Sequence, residues 1–184
     1  TSVPDIIIVQ APPPPSPPTL NAVLGPTETD TVVFDVFTAT SGTFLASSPN
    51  NGATLTFGVE GGTAGSTVID GVTYDVSRAG PYGTLYVDSA TGAYTFVPDS
   101  DAINALVAPT ATDFTITVSD GTLSADQTFT IAINGANDAA VISGATSGTT
   151  IEAGGVANAA QGTPSATGTL TNTDVDNAPN TFAT

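Results

Sequence analysis

Acidic and amide residues at close spacing are the groups in this chain that could do chemistry. Asn137 and Asp138 are adjacent, and Asp174 and Asp176 flank Val175. In an extended segment the two aspartates of such a pair share a face, and in a turn both can converge on one ion. Ca²⁺ takes six to eight oxygens from carboxylates, amide side chains and carbonyls. Asn137, Asp138, Glu152, Asp174 and Asp176 would supply most of such a set, and Asn177 or Asn180 would add one more. The same residue types also build ordinary turns, which is how we read Asp88 and Asp120-Gly121. Paired carboxylates can also serve as a glycosidase acid and base. Nothing in the sequence suggests a cleft, however, and sugar-stacking residues are few, with Tyr 4 and Trp 0. We therefore read the chain as non-enzymatic.

Composition narrows the chemistry further. The 184 residues hold 17 acids and 1 base, a net charge of −16. There is no Lys, Arg78 is the single cation, and Cys, His, Met and Trp are absent. Without His or Cys there is no ordinary zinc site, no thiolate nucleophile and no Ser-His-Asp triad. Without Lys there is no Schiff base, no phosphate-binding P-loop and no lysine isopeptide crosslink. One Arg cannot hold a nucleic-acid backbone, and an anionic membrane surface would repel the chain. No apolar run is long enough to span a bilayer. No basic, apolar leader opens the sequence, so an export signal is expected to lie elsewhere or to have been removed. The excess negative charges repel one another. Either divalent cations neutralise them, or they form a solvated surface that confers solubility.

The elements that must position these residues read as strands. Residues 1–18 join a β-prone run, Ile6, Ile7, Ile8 and Val9, to a spacer of six prolines around Ser16. Such a spacer is expected to be a semi-rigid polyproline II segment. Period-two patterns follow. Val32, Phe34 and Val36 alternate within 31–38, Leu55, Phe57 and Val59 within 54–59, and Val72, Tyr74 and Val76 within 71–76. A hairpin over 84–97 turns through Asp88–Gly92. Asp101 is placed to cap one helical turn. Phe114, Ile116 and Val118 alternate up to Asp120-Gly121, and Phe129, Ile131 and Ile133 alternate on the return. Short strands at regular spacing predict an all-β sandwich over 19–138. Strand candidates at 140–142, 149–151 and 166–171 open a second unit over 139–184, too short for a sandwich of its own.

The stretch YGTLYVDSATGAYTFVPD (82–99) resembles the signature hairpin of VCBS repeats. INAL (103–106), DFTITVSDG (113–121) and TFTIAINGAND (128–138) extend the likeness. IEAG (151–154), ATGTLTNTDVDN (166–177) and NTF (180–182) look like the opening of a second repeat. The resemblance implies an immunoglobulin-like or cadherin-like β-sandwich. Such domains occur in tandem in very large secreted or cell-surface bacterial adhesins of the RTX type, involved in attachment and biofilm. It also implies Ca²⁺ at the junctions between repeats. Cadherin junctions combine an Asn-Asp linker, an Asp-x-Asp pair and an early Glu, as Asn137-Asp138, Asp174/Asp176 and Glu152 would here. They also carry an acidic motif where Asp99 and Asp101 stand.

The expected partners are neighbouring repeats or copies of the same protein. One alternative is a filament or surface-layer subunit in which Ile6–Val9 adds as a strand to a neighbouring copy. A further alternative is a polysaccharide-binding adhesin module, with the Gly-, Ser- and Thr-rich segment 39–70 as binding loops.

Overall fold

The structure, a computed structural model, describes residues 13–163, 165–178 and 180–182. The expected exchange strand Ile6–Val9 lies outside the described residues. Among those described, the chain runs through β1 (Thr19–Leu20), β2 (Thr27–Thr29), β3 (Thr40–Thr43), β4 (Ala46–Ser47), β5 (Thr56–Val59), β6 (Thr63–Ile69) and β7 (Val72–Gly80). It continues through β8 (Gly83–Val87), β9 (Ala93–Pro98), the helix α1 (Ser100–Asn104), β10 (Thr110–Ser119) and β11 (Ser124–Asn134). The antiparallel pair β12 (Val141–Gly144) and β13 (Leu170–Thr173) follows. The fold is an all-β sandwich. No helix among the described residues is long and apolar enough to cross a membrane.

Two compact units divide the chain. One holds the residues up to Pro26 with Thr38–Pro98 and Thr112–Ile131; the other holds Thr27–Phe37, Asp99–Ala111 and the chain from Ala132 on. In the first unit a sheet of order β3-β9-β8-β7-β6 faces the strands β5, β10 and β11. The alternation in the sequence explains the core between them. Leu85, Val87, Tyr94 and Phe96 point inward from one sheet, and Phe57, Val59, Phe114, Ile116, Val118, Phe129 and Ile131 from the other; all are buried. Aromatic rings tie the layers. Phe129 meets Tyr94 edge-on at 5.0 Å and Phe44 at 5.1 Å, and Phe96 meets Phe114 at 6.2 Å. Each fully buried side chain of this size contributes about 1.5–3 kcal/mol.

The β8–β9 hairpin closes through Asp88–Gly92. The Gly92 N–H donates to the Asp88 carbonyl at 2.9 Å, and the Asp88 carboxylate accepts from the Ala90 N–H at 2.9 Å. Gly92 has φ +75, and a Cβ there would stand 2.6 Å from the Phe44 carbonyl, so both the turn and the close approach demand glycine. Arg78 sits on β7, which is paired on both sides: Ser77 faces Thr63 of β6, and Arg78 faces Leu85 of β8. Its guanidinium donates to the Gly61 carbonyl at 3.0 Å.

Three expectations need correction. Residues 31–38 form no strand; the chain there is irregular and Val32, Phe34 and Val36 are exposed. β6 lies in a segment read as loop, because its small polar residues give no apolar period, yet its backbone pairs with β7. The helix is capped by Asp99, whose carboxylate accepts from the Ala102 N–H at 3.1 Å, and not by Asp101, which lies in the first turn.

The proline-rich segment is fastened to the first unit. The Ser16 N–H donates to Asn50 Oδ1 at 3.3 Å, and Asn50 Nδ2 donates to the Ser16 carbonyl at 2.8 Å. Asn50 Nδ2 also donates to Asp120 Oδ2 at 2.5 Å, joined there by the Ser48 hydroxyl at 3.0 Å. The N–H groups of Leu123 and Thr122 donate to Asp120 Oδ1 at 2.8 and 3.0 Å. These donors, Leu123 foremost, hold the Asp120 carboxyl down to about 2 from an ordinary 3.8. A lowered folded-state value means that the stabilisation is complete above the unfolded value and is lost as pH falls towards the folded one. Asp120→Asn is therefore expected to melt several degrees below the parent at neutral pH. The two melting curves should converge as pH falls from 3.8 to about 2. A gap that persists unchanged into strong acid would refute the assignment.

In the second unit β2 pairs in parallel with the end of β11, Thr27 facing Ala132, Glu28 facing Ile133 and Thr29 facing Asn134. Ile103 of α1 and Ile133 are its buried large apolar residues. β12 is exposed along its whole length, Val141 at 62% and Ile142 at 59%, and Leu170 of β13 at 44%. Of the strand expected at 149–151, the structure shows a single bridge, Ile151 to Thr163.

Candidate metal centre

Three stretches of the second unit bring their acids together. The first follows β2. The Asp30 N–H continues the parallel ladder by donating to the Asn134 carbonyl at 3.0 Å. Asp30 Oδ2 accepts from the Ala136 N–H at 3.1 Å, while Oδ1, buried, has no hydrogen-bond partner. Five residues on, Asp35 closes the loop by accepting from the Thr31 N–H at 2.7 Å. The buried Asn104 of α1 reads both sides of the Asp35 backbone: its Oδ1 accepts from the N–H at 2.6 Å and its Nδ2 donates to the carbonyl at 2.9 Å.

The second stretch leaves β11. Asp138 is 3% exposed, and neither of its carboxylate oxygens has a hydrogen-bond partner. Its own N–H donates to Asp176 Oδ2 at 2.9 Å, and the next N–H, of Ala139, donates to the Val32 carbonyl at 2.9 Å.

The third stretch is the turn after β13. The Asn177 N–H donates to Asp174 Oδ1 at 3.2 Å, and Asn177 Nδ2 bridges Asp176 Oδ1 at 3.1 Å and Asn137 Oδ1 at 2.7 Å. Asn137 Nδ2 donates to the Asp138 carbonyl at 2.7 Å.

The electrostatics of the set are unfavourable as it stands. Burial pushes the Asp138 carboxyl above its ordinary range, and the negative charges of Asp30, Asp176, Asp35 and Asp174 push it further. A buried carboxylate with neither donor nor counter-charge is costly. Among the described residues, no three carboxylates already stand in the close convergence of a formed ion cage. No protein-family model matches this chain, and neither does any curated protein.

The centre thus rests on its own chemistry. Five carboxylates, an Asn oxygen and backbone carbonyls are hard donors of the kind Ca²⁺ takes. Asp138 and Asp174 line a pocket of about 200 Å³ with Phe34 and Val141, which gives an ion a way in. The donor set fits a calcium ion, which would offset the charges that otherwise oppose one another.

Of the residues the sequence nominated, the structure gathers Asn137, Asp138, Asp174 and Asp176, with Asn177 as their organiser. Glu152 is exposed beside the Ile151–Thr163 bridge, and its charge is not among those that act on Asp138. Asp99 and Asp101 serve α1 and likewise do not act on Asp138. Asp30 and Asp35 are the addition. They lie more than a hundred residues from Asp138, so no local spacing reveals them; the available signal is that they bracket an apolar run, Val32 to Phe34.

Proposed function

We propose that this chain is an extracellular structural repeat of a bacterial surface or biofilm protein, stiffened by Ca²⁺ bound among Asp30, Asp35, Asp138, Asp174 and Asp176. The observation that carries the reading is Asp138, a buried carboxylate with both oxygens unpartnered and four other acids around it. The VCBS-like motifs and the cation-poor, cysteine-free composition support the setting. Bound ion would stabilise by mass action, because only the folded arrangement assembles the donors. A thermal melt in EDTA, followed by Ca²⁺ titration, tests the proposal. A melting temperature indifferent to Ca²⁺ sinks it.

The exposed β12–β13 pair favours a second reading, strand-mediated self-assembly. Two strands with no buried face are marginal alone and invite further strands. If Ile6–Val9 supplies them between copies, the full chain should sediment as an oligomer and a chain lacking residues 1–18 as a monomer. A full chain that stays monomeric at high concentration excludes it.

A further inference from the structure

We infer that the parallel pair β2–β11, prolonged by the acid cluster, is a tension-bearing clamp that the bound cation locks. The metal part of this inference rests on the calcium reading above; the strand part does not.

The argument is one of direction. Load applied to the two ends of the chain enters β2 at Thr27, pulling it backwards, and leaves β11 at Asn134, pulling it forwards. Because the two segments are parallel, with Thr27 facing Ala132 and Thr29 facing Asn134, they are pulled towards opposite ends of the pair. The rungs are therefore sheared together rather than opened in turn. The β12–β13 pair shows the contrary case. Its entry residue Val141 faces its exit residue Thr173, so the same load opens that pair rung by rung.

Three facing pairs are a short clamp, but the line of contact continues past them. Asp30 N–H to the Asn134 carbonyl (3.0 Å), Ala136 N–H to Asp30 Oδ2 (3.1 Å) and Ala139 N–H to the Val32 carbonyl (2.9 Å) extend it between the same two stretches. The orphaned oxygens of Asp30 and Asp138 lie on the two sides of this line. An ion that they share, with Asp35 from the first stretch, bonds across the direction of shear. Breaking it then belongs to the unfolding barrier and not merely to the equilibrium.

Force spectroscopy on the full chain tests this. The chain has no native Cys, so attachment points can be chosen freely. With handles at both ends, saturating Ca²⁺ should slow unfolding at a given load by about 100-fold relative to EDTA, as expected for an ion at about 100 times its Kd that is released in the transition state. Moving the C-terminal handle to the exposed start of β11, through Ser124→Cys, puts both loads on the same end of the parallel pair. Peeling should then replace shear, and both the resistance and its Ca²⁺ increment should drop. Equal unfolding loads in the two geometries overturn the clamp, even if Ca²⁺ raises the melting temperature. If Ca²⁺ leaves the melting temperature unmoved, the calcium reading fails and the comparison in EDTA judges the strands alone. A higher load end-to-end upholds them, and equal loads overturn them.

Discussion

Asp138→Asn should shift the melting temperature in opposite directions with and without calcium. In EDTA the wild-type side chain is a buried charge among like charges, with no donor to either oxygen. The amide keeps the shape and removes the charge, so the variant should melt higher than the parent. In Ca²⁺ the same change removes a ligand from the centre of the set, so the variant should melt lower. For wild type, a ligand at about 100 times its Kd adds about 2.7 kcal/mol. In a chain of this length that corresponds to about 5–10 °C. A purely structural or solubility role for Asp138 cannot reverse sign with a chelator. Calorimetric melts of both proteins in EDTA and in Ca²⁺ decide the matter. A variant that shifts the same way in both buffers would remove Asp138 from the metal site, whatever the fold does.

Phe129→Ala should be the most damaging single change in the first unit. Phe129 is 1% exposed and its ring meets both Phe44 and Tyr94. Truncation loses the transfer energy of the ring and leaves a cavity between two sheets held by paired backbones. The expected cost is about 3–5 kcal/mol. Phe129→Leu retains much of the volume and should cost far less. Denaturant unfolding of the two variants measures the difference. Equal, small losses would mean that the layers do not depend on this aromatic cluster.

The strands that proved readable in the sequence are those with one buried face. Phe114, Ile116 and Val118 alternate because every second residue of β10 enters the core, and the same holds for Phe129, Ile131 and Ile133 on β11. Where pattern misled, side chains had taken over the backbone's bonding. Val32, Phe34 and Val36 alternate as a strand would, yet the N–H and carbonyl of Asp35 go to Asn104, and the Thr31 N–H goes to the Asp35 carboxylate. A strand needs those groups for a ladder. Where pattern was silent, as in β6, the backbone ladder alone defines the element. The metal centre divides the same way. Asp174 and Asp176 announce themselves by spacing, and Asn137-Asp138 by adjacency. Asp30 and Asp35 become neighbours of Asp138 only after β2 has docked in register on β11, a long-range event that no local window contains.

The place of Arg78 has a consequence for proteolysis. Arg78 is the chain's only basic residue, so a trypsin-like protease has one peptide bond to attack, the one that follows it. That bond lies within β7, between two hydrogen-bonded neighbours, where it cannot adopt the extended, accessible form a protease cleft requires. Cleavage must wait for the sheet to come apart, and its rate then follows the population of the open state. The folded protein is thereby shielded from a whole class of digestive enzymes. The appearance of two fragments joined at residue 78 becomes a direct clock for global unfolding.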